Sequence, residues 1–359
     1  MTEFHLSPAG AASVERLFQS FDQEENRRLE IMERVKARVL WTDRDKQVKS
    51  AFADILLELA MRVDPDKPFG PGNRREARSL GVLGKTGAGK SSLLSRLFAG
   101  HPAFPGYNVP NSGCALITVN VPSPCNLKAL GIILLAQLGY PLQQERSVPL
   151  IWQLVTERLR HLGILVLHLD EVHNVLQAAN TREIVEIRKT FKTLMIDPAW
   201  PVALVVSGLP EVKGFFEKLD EEEIRPEGQQ PDTRGEVRRR FRFVELPSLR
   251  LPHDARMMAA AVKDLASIAG LEAPADLASD IVPRLIHAGL YELGICMELT
   301  HDAITKALQA KAASLVIKHY ADAWRTRTGS ADRANPFLAI KWLKVDCSVV
   351  LAKKREGDR

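Results

Sequence analysis

Closely spaced cysteines are the first thing this 359-residue sequence lacks. Its four cysteines, Cys114, Cys125, Cys296 and Cys347, stand too far apart for a C-x-x-C metal or redox pair. No apolar run approaches the roughly 18 residues that read as a membrane span, so no membrane association is expected. Met1-Thr2-Glu3-Phe4 does not begin a basic stretch followed by an apolar core. That argues against a signal peptide and makes the cytoplasm the expected compartment. Internal repeats are missing too. Charge of one sign is in short excess: 49 Lys and Arg against 44 Asp and Glu give +5 and a pI near 9.0. Such a balance permits nucleic-acid binding without demanding it. What remains, 45% hydrophobic and 26% charged residues, is ordinary soluble-protein composition, with length for one large or two medium domains.

The chemistry is concentrated first in Gly84-Lys85-Thr86-Gly87-Ala88-Gly89-Lys90-Ser91-Ser92. An apolar run, residues 80–83, precedes it, and Leu93, Leu94, Leu97 and Phe98 follow at helical spacing. Gly84-x-x-x-x-Gly89-Lys90-Ser91 thus sits at a strand-to-helix turn, the setting a phosphate-binding loop requires. Glycines let backbone N–H groups close round a phosphate, and the new helix aims its unpaired donors at the same anion. Lys90 is expected to reach the β- and γ-phosphates of ATP, and the Ser91 hydroxyl to ligate Mg²⁺. The bare pattern arises by chance in about one chain in a hundred of this length, before the flanking strand and helix are required.

A second centre lies at the end of another apolar run, Ile164-Leu165-Val166-Leu167-His168-Leu169-Asp170-Glu171. A central parallel strand closing on two acids suits a Walker B terminus. Asp170 is expected to hold the Mg²⁺ shell and Glu171 to act as general base on the attacking water. His168, two residues before Asp170 on the same strand face, is expected to be a hydrogen-bonded core histidine, since no other His or Cys has ligand spacing to it. Further strands are expected over residues 115–119, 201–207 and 243–246. Ser207-Gly208-Leu209-Pro210 falls where a γ-phosphate sensor sits, and Arg238-Arg239-Arg240 precedes the fifth strand.

The rest punctuates these strands. The first 40 residues carry two apolar stripes at helical spacing, Val14, Leu17, Phe18, Phe21 and then Ile31, Val35, Val39. Trp41-Thr42-Asp43 offers a capped entry to a helix with Val48, Phe52, Ile55 and Leu56 on one face. Residues 220–234 are charged, broken by Pro226, Gly228 and Pro231, and expected to form a loop. From about residue 253 the pattern is only helical: 257–269, 277–287, 292–308 and 312–324. The expected organisation is an N-terminal helical segment over 1–63, an α/β core over 64–250, a helical lid over 251–325 and a tail over 326–359.

Five strands in this order, with the loop on the first, the acids on the third, a sensor after the fourth and an Arg cluster before the fifth, resemble an AAA+ ATPase. The fold class expected is therefore α/β: an AAA+ P-loop NTPase with a five-stranded parallel sheet and a helical lid. Local segments are similar to the TniB/TnsC family of transposition regulators. They are Asp170-Glu171-Val172-His173-Asn174, Phe191-Lys192-Thr193-Leu194, Gly208-Leu209-Pro210-Glu211, Arg239-Arg240-Phe241 and Asn335-Pro336-Phe337. Leu209 stands where the family often has a polar residue, which leaves Ser207 as the sensor-like group. Gly289-Leu290-Tyr291-Glu292-Leu293-Gly294 resembles the second sensor region but offers no Arg.

The resemblance implies a homo-oligomer, ring or helical filament, on double-stranded DNA, with ATP bound between neighbours and Arg240 reaching into the next subunit's site. It also implies a DDE transposase as partner, a target-selection adaptor, and disassembly on hydrolysis. Binding of any sequence calls for Lys and Arg on phosphates rather than base edges. That nominates Lys128, Arg182, Arg188, Lys189 and Lys192, although charges on a helix are commonly just solvated. An ExeA-like ATPase, relaying nucleotide state to a protein partner without DNA, is the alternative. A small-molecule kinase is disfavoured by the Asp170-Glu171 pair.

Overall fold

The computed structural model describes residues 8–40, 42–109, 112–217 and 238–351. The charged loop expected over 220–234 lies outside the described residues. The chain divides into two compact units. Among the described residues, the first runs over Thr42–Lys85 and Lys90–Leu246; the second holds residues 8–40, Thr86–Gly89 and 247–351.

The first unit is built on five parallel strands: β1 Ser79–Leu83, β2 Leu116–Asn120, β3 Val166–Asp170, β4 Ala203–Gly208 and β5 Phe241–Glu245. Their order across the sheet is β2-β3-β4-β1-β5. The three inner strands are buried at every residue, which is why they read as continuous apolar runs rather than alternating ones. The fifth begins two residues earlier than its composition suggests. Ser79 N–H donates to the Arg240 carbonyl at 2.8 Å, so pairing with β1 starts as soon as the Arg cluster ends.

Helices are numbered in chain order. α1 Pro8–Gln19 and α2 Gln23–Ala37 belong to the second unit; α3 Asp43–Leu59 belongs to the first. Thr42 caps α3 through a capping box with Asp45, as the sequence suggested, while Trp41 is not among the described residues. Val48, Phe52 and Ile55 of α3 are buried, and α3 packs on β1 and β5. Helices α4 Lys90–Ala99, α5 Leu127–Gln137, α6 Val148–His161, α7 His173–Ala178, α8 Thr181–Ile196 and α9 Val212–Glu217 complete the first unit. Gly81 in β1 is required by a close approach: a Cβ there would stand 2.2 Å from the Phe243 ring on β5.

The second unit gathers α10 Ala255–Ile268, α11 Val282–Ala288, α12 Leu293–Gln309 and α13 Ile317–Thr328 round Met258, Val262, Leu285, Leu299, Tyr320 and Trp324. Val35 of α2 is fully buried in the same core, with Ile31 and Met32 packed beside it. The segment Asn335-Pro336-Phe337 seals this core. Asn335 is buried, its amide donating to the Ala321 carbonyl at 2.9 Å and its carbonyl oxygen accepting from Phe337 N–H at 3.0 Å. Phe337 then stacks on Tyr320, ring centroids 5.3 Å apart. The loop tip Thr86–Gly89 joins this unit because Gly294 N–H donates to the Gly87 carbonyl at 2.7 Å. A Cβ on Gly294 would come within 2.5 Å of that oxygen.

Candidate nucleotide site

β1 ends at Leu83 and α4 starts at Lys90, so residues 84–89 form the turn between them, as the spacing predicted. Gly87 and Gly89 take φ of +80° and +91°, a left-handed backbone that L side chains rarely adopt. Lys85, Thr86, Ser91 and Ser92 are exposed, Ala88 is buried, and Gly84 is anchored by its N–H on the Gly208 carbonyl of β4 at 3.2 Å. Lys90 is buried, its Nζ donating to the carbonyls of Gly84 at 2.8 Å and Lys85 at 3.1 Å. The first turn of α4 leaves its N–H groups without helical acceptors. Loop, ammonium and helix start together fit the phosphate chain of a nucleotide.

Asp170, the last residue of β3, is buried and fixed on one side only. Its Oδ1 accepts from the Ser207 hydroxyl at 2.5 Å and from Glu171 N–H at 3.0 Å. Among the described residues Oδ2 takes no protein hydrogen bond, which suits a carboxylate meant for a metal ion. Ser207, fully buried on β4, also meets His168 Nε2 at 3.0 Å; His168 Nδ1 meets Thr118 Oγ1 on β2 at 3.1 Å; Thr118 meets the Tyr107 hydroxyl at 2.8 Å. Burial pushes the His168 imidazole down to about 4, against the upward pull of the Asp170 charge, so the ring is neutral near pH 7.

Glu171 follows in a left-handed backbone, φ +58°, with its carboxylate partly exposed. His173 Nδ1 lies 3.3 Å from Glu171 Oε2 without hydrogen-bond geometry. Val172 N–H on the Ser207 carbonyl at 2.9 Å and the Asn174 amide on the Val121 carbonyl at 2.8 Å hold this corner. A Cβ on Gly208 would press to 3.0 Å from Val212 Cγ2 and lie in ordinary contact, 3.4 Å, with His173 Nδ1. Asp170, Glu171 and Ser207 thus meet at the carboxyl ends of adjacent strands, beside the strand that feeds the glycine loop.

Arg240 stands at the other end of β1, where it pairs with Glu76. Its side chain lines a cavity of about 750 Å³ shared with Arg74, Arg75, Arg78, Arg239 and Glu58. Within one subunit Arg240 is therefore not among the groups round Asp170.

The five basic residues nominated for DNA part company. Arg182 is 89% exposed, with Glu186 3.6 Å away; Lys189 is exposed and Lys192 half-buried, all three on α8. Lys128, near the start of α5, pairs with Glu145. Arg188 is a correction: it is 8% exposed, donates from Nε to the Phe215 carbonyl at 2.9 Å and lies 5.0 Å from the Phe215 ring. Its position, three residues before Phe191 and seven before Met195, puts it on the buried stripe of α8. Helical phase in the sequence could have separated it from Lys189. Thr118 and Tyr107 were missed altogether. The register pair of Thr118 with His168 across β2 and β3 is what brings them in.

The family described as Bacterial TniB protein matches residues 67–216, a span that includes the glycine loop, Asp170, Glu171 and Ser207. No curated protein sequence matches the chain. Among solved structures, Cdc6p from Pyrobaculum aerophilum shares 17% identity at a TM-score of 0.55, covering 81% of this chain and 69% of that one. The ORC1 protein of Aeropyrum pernix, in complex with DNA, shares 14% at 0.49, covering 82% and 69%. The RuvB branch migration motor of Thermotoga maritima shares 15% at 0.44, covering 80% and 70%. At these identities the likeness concerns the fold, and the first alone carries it. The chain shares the α/β fold of Cdc6p, and its residues 67–216 match the TniB family.

Proposed function

We propose that this chain couples Mg²⁺-dependent ATP hydrolysis to assembly on duplex DNA, and that the assembly regulates transposition by recruiting a DDE transposase. The TniB match over the segment that bears the nucleotide site carries the proposal.

The chemistry follows from the residues. The N–H groups of residues 85–92 and the Lys90 ammonium bind the phosphate chain, Lys90 exchanging the Gly84 and Lys85 carbonyls for phosphate oxygens. The Ser91 hydroxyl and Asp170 are the groups for Mg²⁺, which supplies neutralisation of phosphate charge. Glu171 takes the proton of the attacking water, and Ser207 holds the metal-side carboxylate and acts as the sensor-like hydroxyl. Arg240, remote from Asp170 in its own subunit, serves the site of the next subunit in a homo-oligomer as an arginine finger. Arg182, Lys189 and Lys192 on α8 meet DNA phosphates, and Lys128 joins them by leaving Glu145. Hydrolysis then dismantles the assembly, with a target-selection adaptor deciding where it forms.

Retention of duplex DNA by the protein with a non-hydrolysable ATP analogue tests this. The expected result is retention at low salt that falls steeply with salt and ignores sequence. No retention at low salt overturns the DNA reading. ATP-driven assembly that is equal with and without DNA favours an ExeA-like relay to a protein partner.

A further inference from the structure

We infer that His168 is a positioning residue for the metal-binding carboxylate: through Ser207 it decides which oxygen of Asp170 is held by the protein and which is left for Mg²⁺. This rests on the proposed role of Asp170.

The direction of every bond in the chain follows from its end. A carboxylate only accepts, so the single hydroxyl proton of Ser207 points at Asp170 Oδ1, 2.5 Å away. With that proton used, Ser207 Oγ can only accept from His168 Nε2 at 3.0 Å. His168 is therefore the Nε2–H tautomer, assigned from the network, and its Nδ1 must accept from the Thr118 hydroxyl at 3.1 Å. Thr118, its proton spent in turn, accepts from the Tyr107 hydroxyl at 2.8 Å. Four side chains on β3, β4, β2 and the loop after α4 thus point their protons one way, toward Asp170.

Packing alone does not ask for this. His168 meets the Phe98 ring edge to face at 5.2 Å, a contact an apolar residue could also make. What the imidazole adds is a donor that denies the Ser207 hydroxyl its other orientations. Without it the hydroxyl can rotate off Oδ1, and the carboxylate keeps only the Glu171 N–H to hold its orientation. Groups in this relation to a metal ligand tune metal affinity while touching neither metal nor substrate.

The test compares His168→Leu, His168→Gln and Thr118→Val with the wild type. The primary readout is the Mg²⁺ concentration giving half-maximal ATP hydrolysis, measured beside Mg²⁺-free nucleotide affinity and Tm. His168→Leu is expected to raise the Mg²⁺ requirement about 10-fold, within the roughly 10–100-fold seen when partners of a metal ligand are removed. His168→Gln, which returns an N–H near the Nε2 position, should recover most of it. Thr118→Val, three hydrogen bonds away from Asp170, should raise it a few-fold. Mg²⁺-free nucleotide affinity should stay put in all three. Should His168→Leu fail to fold, Thr118→Val and the ¹⁵N spectrum of labelled histidine still decide, the latter expected to show the Nε2–H tautomer at His168. A wild type that hydrolyses ATP without regard to Mg²⁺ overturns the metal role of Asp170 and this proposal with it. A Mg²⁺-dependent wild type whose folded variants keep its Mg²⁺ requirement, or an Nδ1–H tautomer, overturns this proposal alone.

Discussion

Glu171 occupies a backbone conformation that costs a non-glycine residue about 1 kcal/mol or more, and it is kept there by the bonds of its neighbours Val172 and Asn174. Such strain is retained where a carboxylate must be aimed. Glu171→Gln preserves size and backbone while removing the carboxylate proposed as the base. Nucleotide binding should persist, and phosphate release should fall by about 10²–10⁴-fold, the usual worth of a general base. Undiminished release would mean that another group takes the proton. The two acids were legible in the sequence because an apolar run ended on them. The strain at Glu171 and the hydroxyl–imidazole chain behind Asp170 were not, because each depends on which residues of β2 and β4 fall beside β3.

Helix α8 has two faces that sequence composition merged. Ile187, Arg188, Phe191, Leu194 and Met195 are buried, whereas Arg182 and Lys189 are exposed. Charge reversal of Arg182 and Lys189 should lower DNA retention while leaving Tm nearly unchanged. The logarithmic salt slope should flatten by about 0.9 for each phosphate that the protein no longer neutralises. Arg188→Ala should do the opposite. It strips the Phe215 carbonyl of its donor and costs about 1–3 kcal/mol, read as a lower denaturation midpoint with little change in the salt slope of any folded fraction. The reverse pattern would put Arg188 on the DNA. Strands were read from the sequence to within about two residues, since burial on both faces of a parallel sheet leaves an unbroken apolar signature. The destinations of the first helices were not legible. An apolar stripe says that α2 and α3 must bury one face, but not which partner arrives to cover it.

For the whole chain, the proposed division of labour between neighbours has a direct consequence for mixtures. Glu171→Gln lacks a base but keeps Arg240; Arg240→Ala lacks the finger but keeps Glu171. Each alone should hydrolyse poorly, the second by a factor approaching the roughly 10³–10⁵ measured for such fingers in GTPases. Mixed in equal amounts they should regain part of the wild-type rate, because an intact site then meets an intact finger across some interfaces. Additive, unrecovered rates would return Arg240 to its own subunit and to its pairing with Glu76.

The burial of Val35 also bears on how this protein is made. Its helix leaves the ribosome well ahead of the helices that enclose Val35, which begin only at Ala255, although Arg38 just beyond it bonds Asp264 at 2.5 Å. At ribosomal rates of about 5–20 residues per second, α2 waits on the order of tens of seconds before its socket exists. The sheet unit is finished during that interval. A chain cut to begin at the α/β core would spare the ribosome this wait, but it would leave the helical unit with an open seam where Val35, Ile31 and Met32 belong.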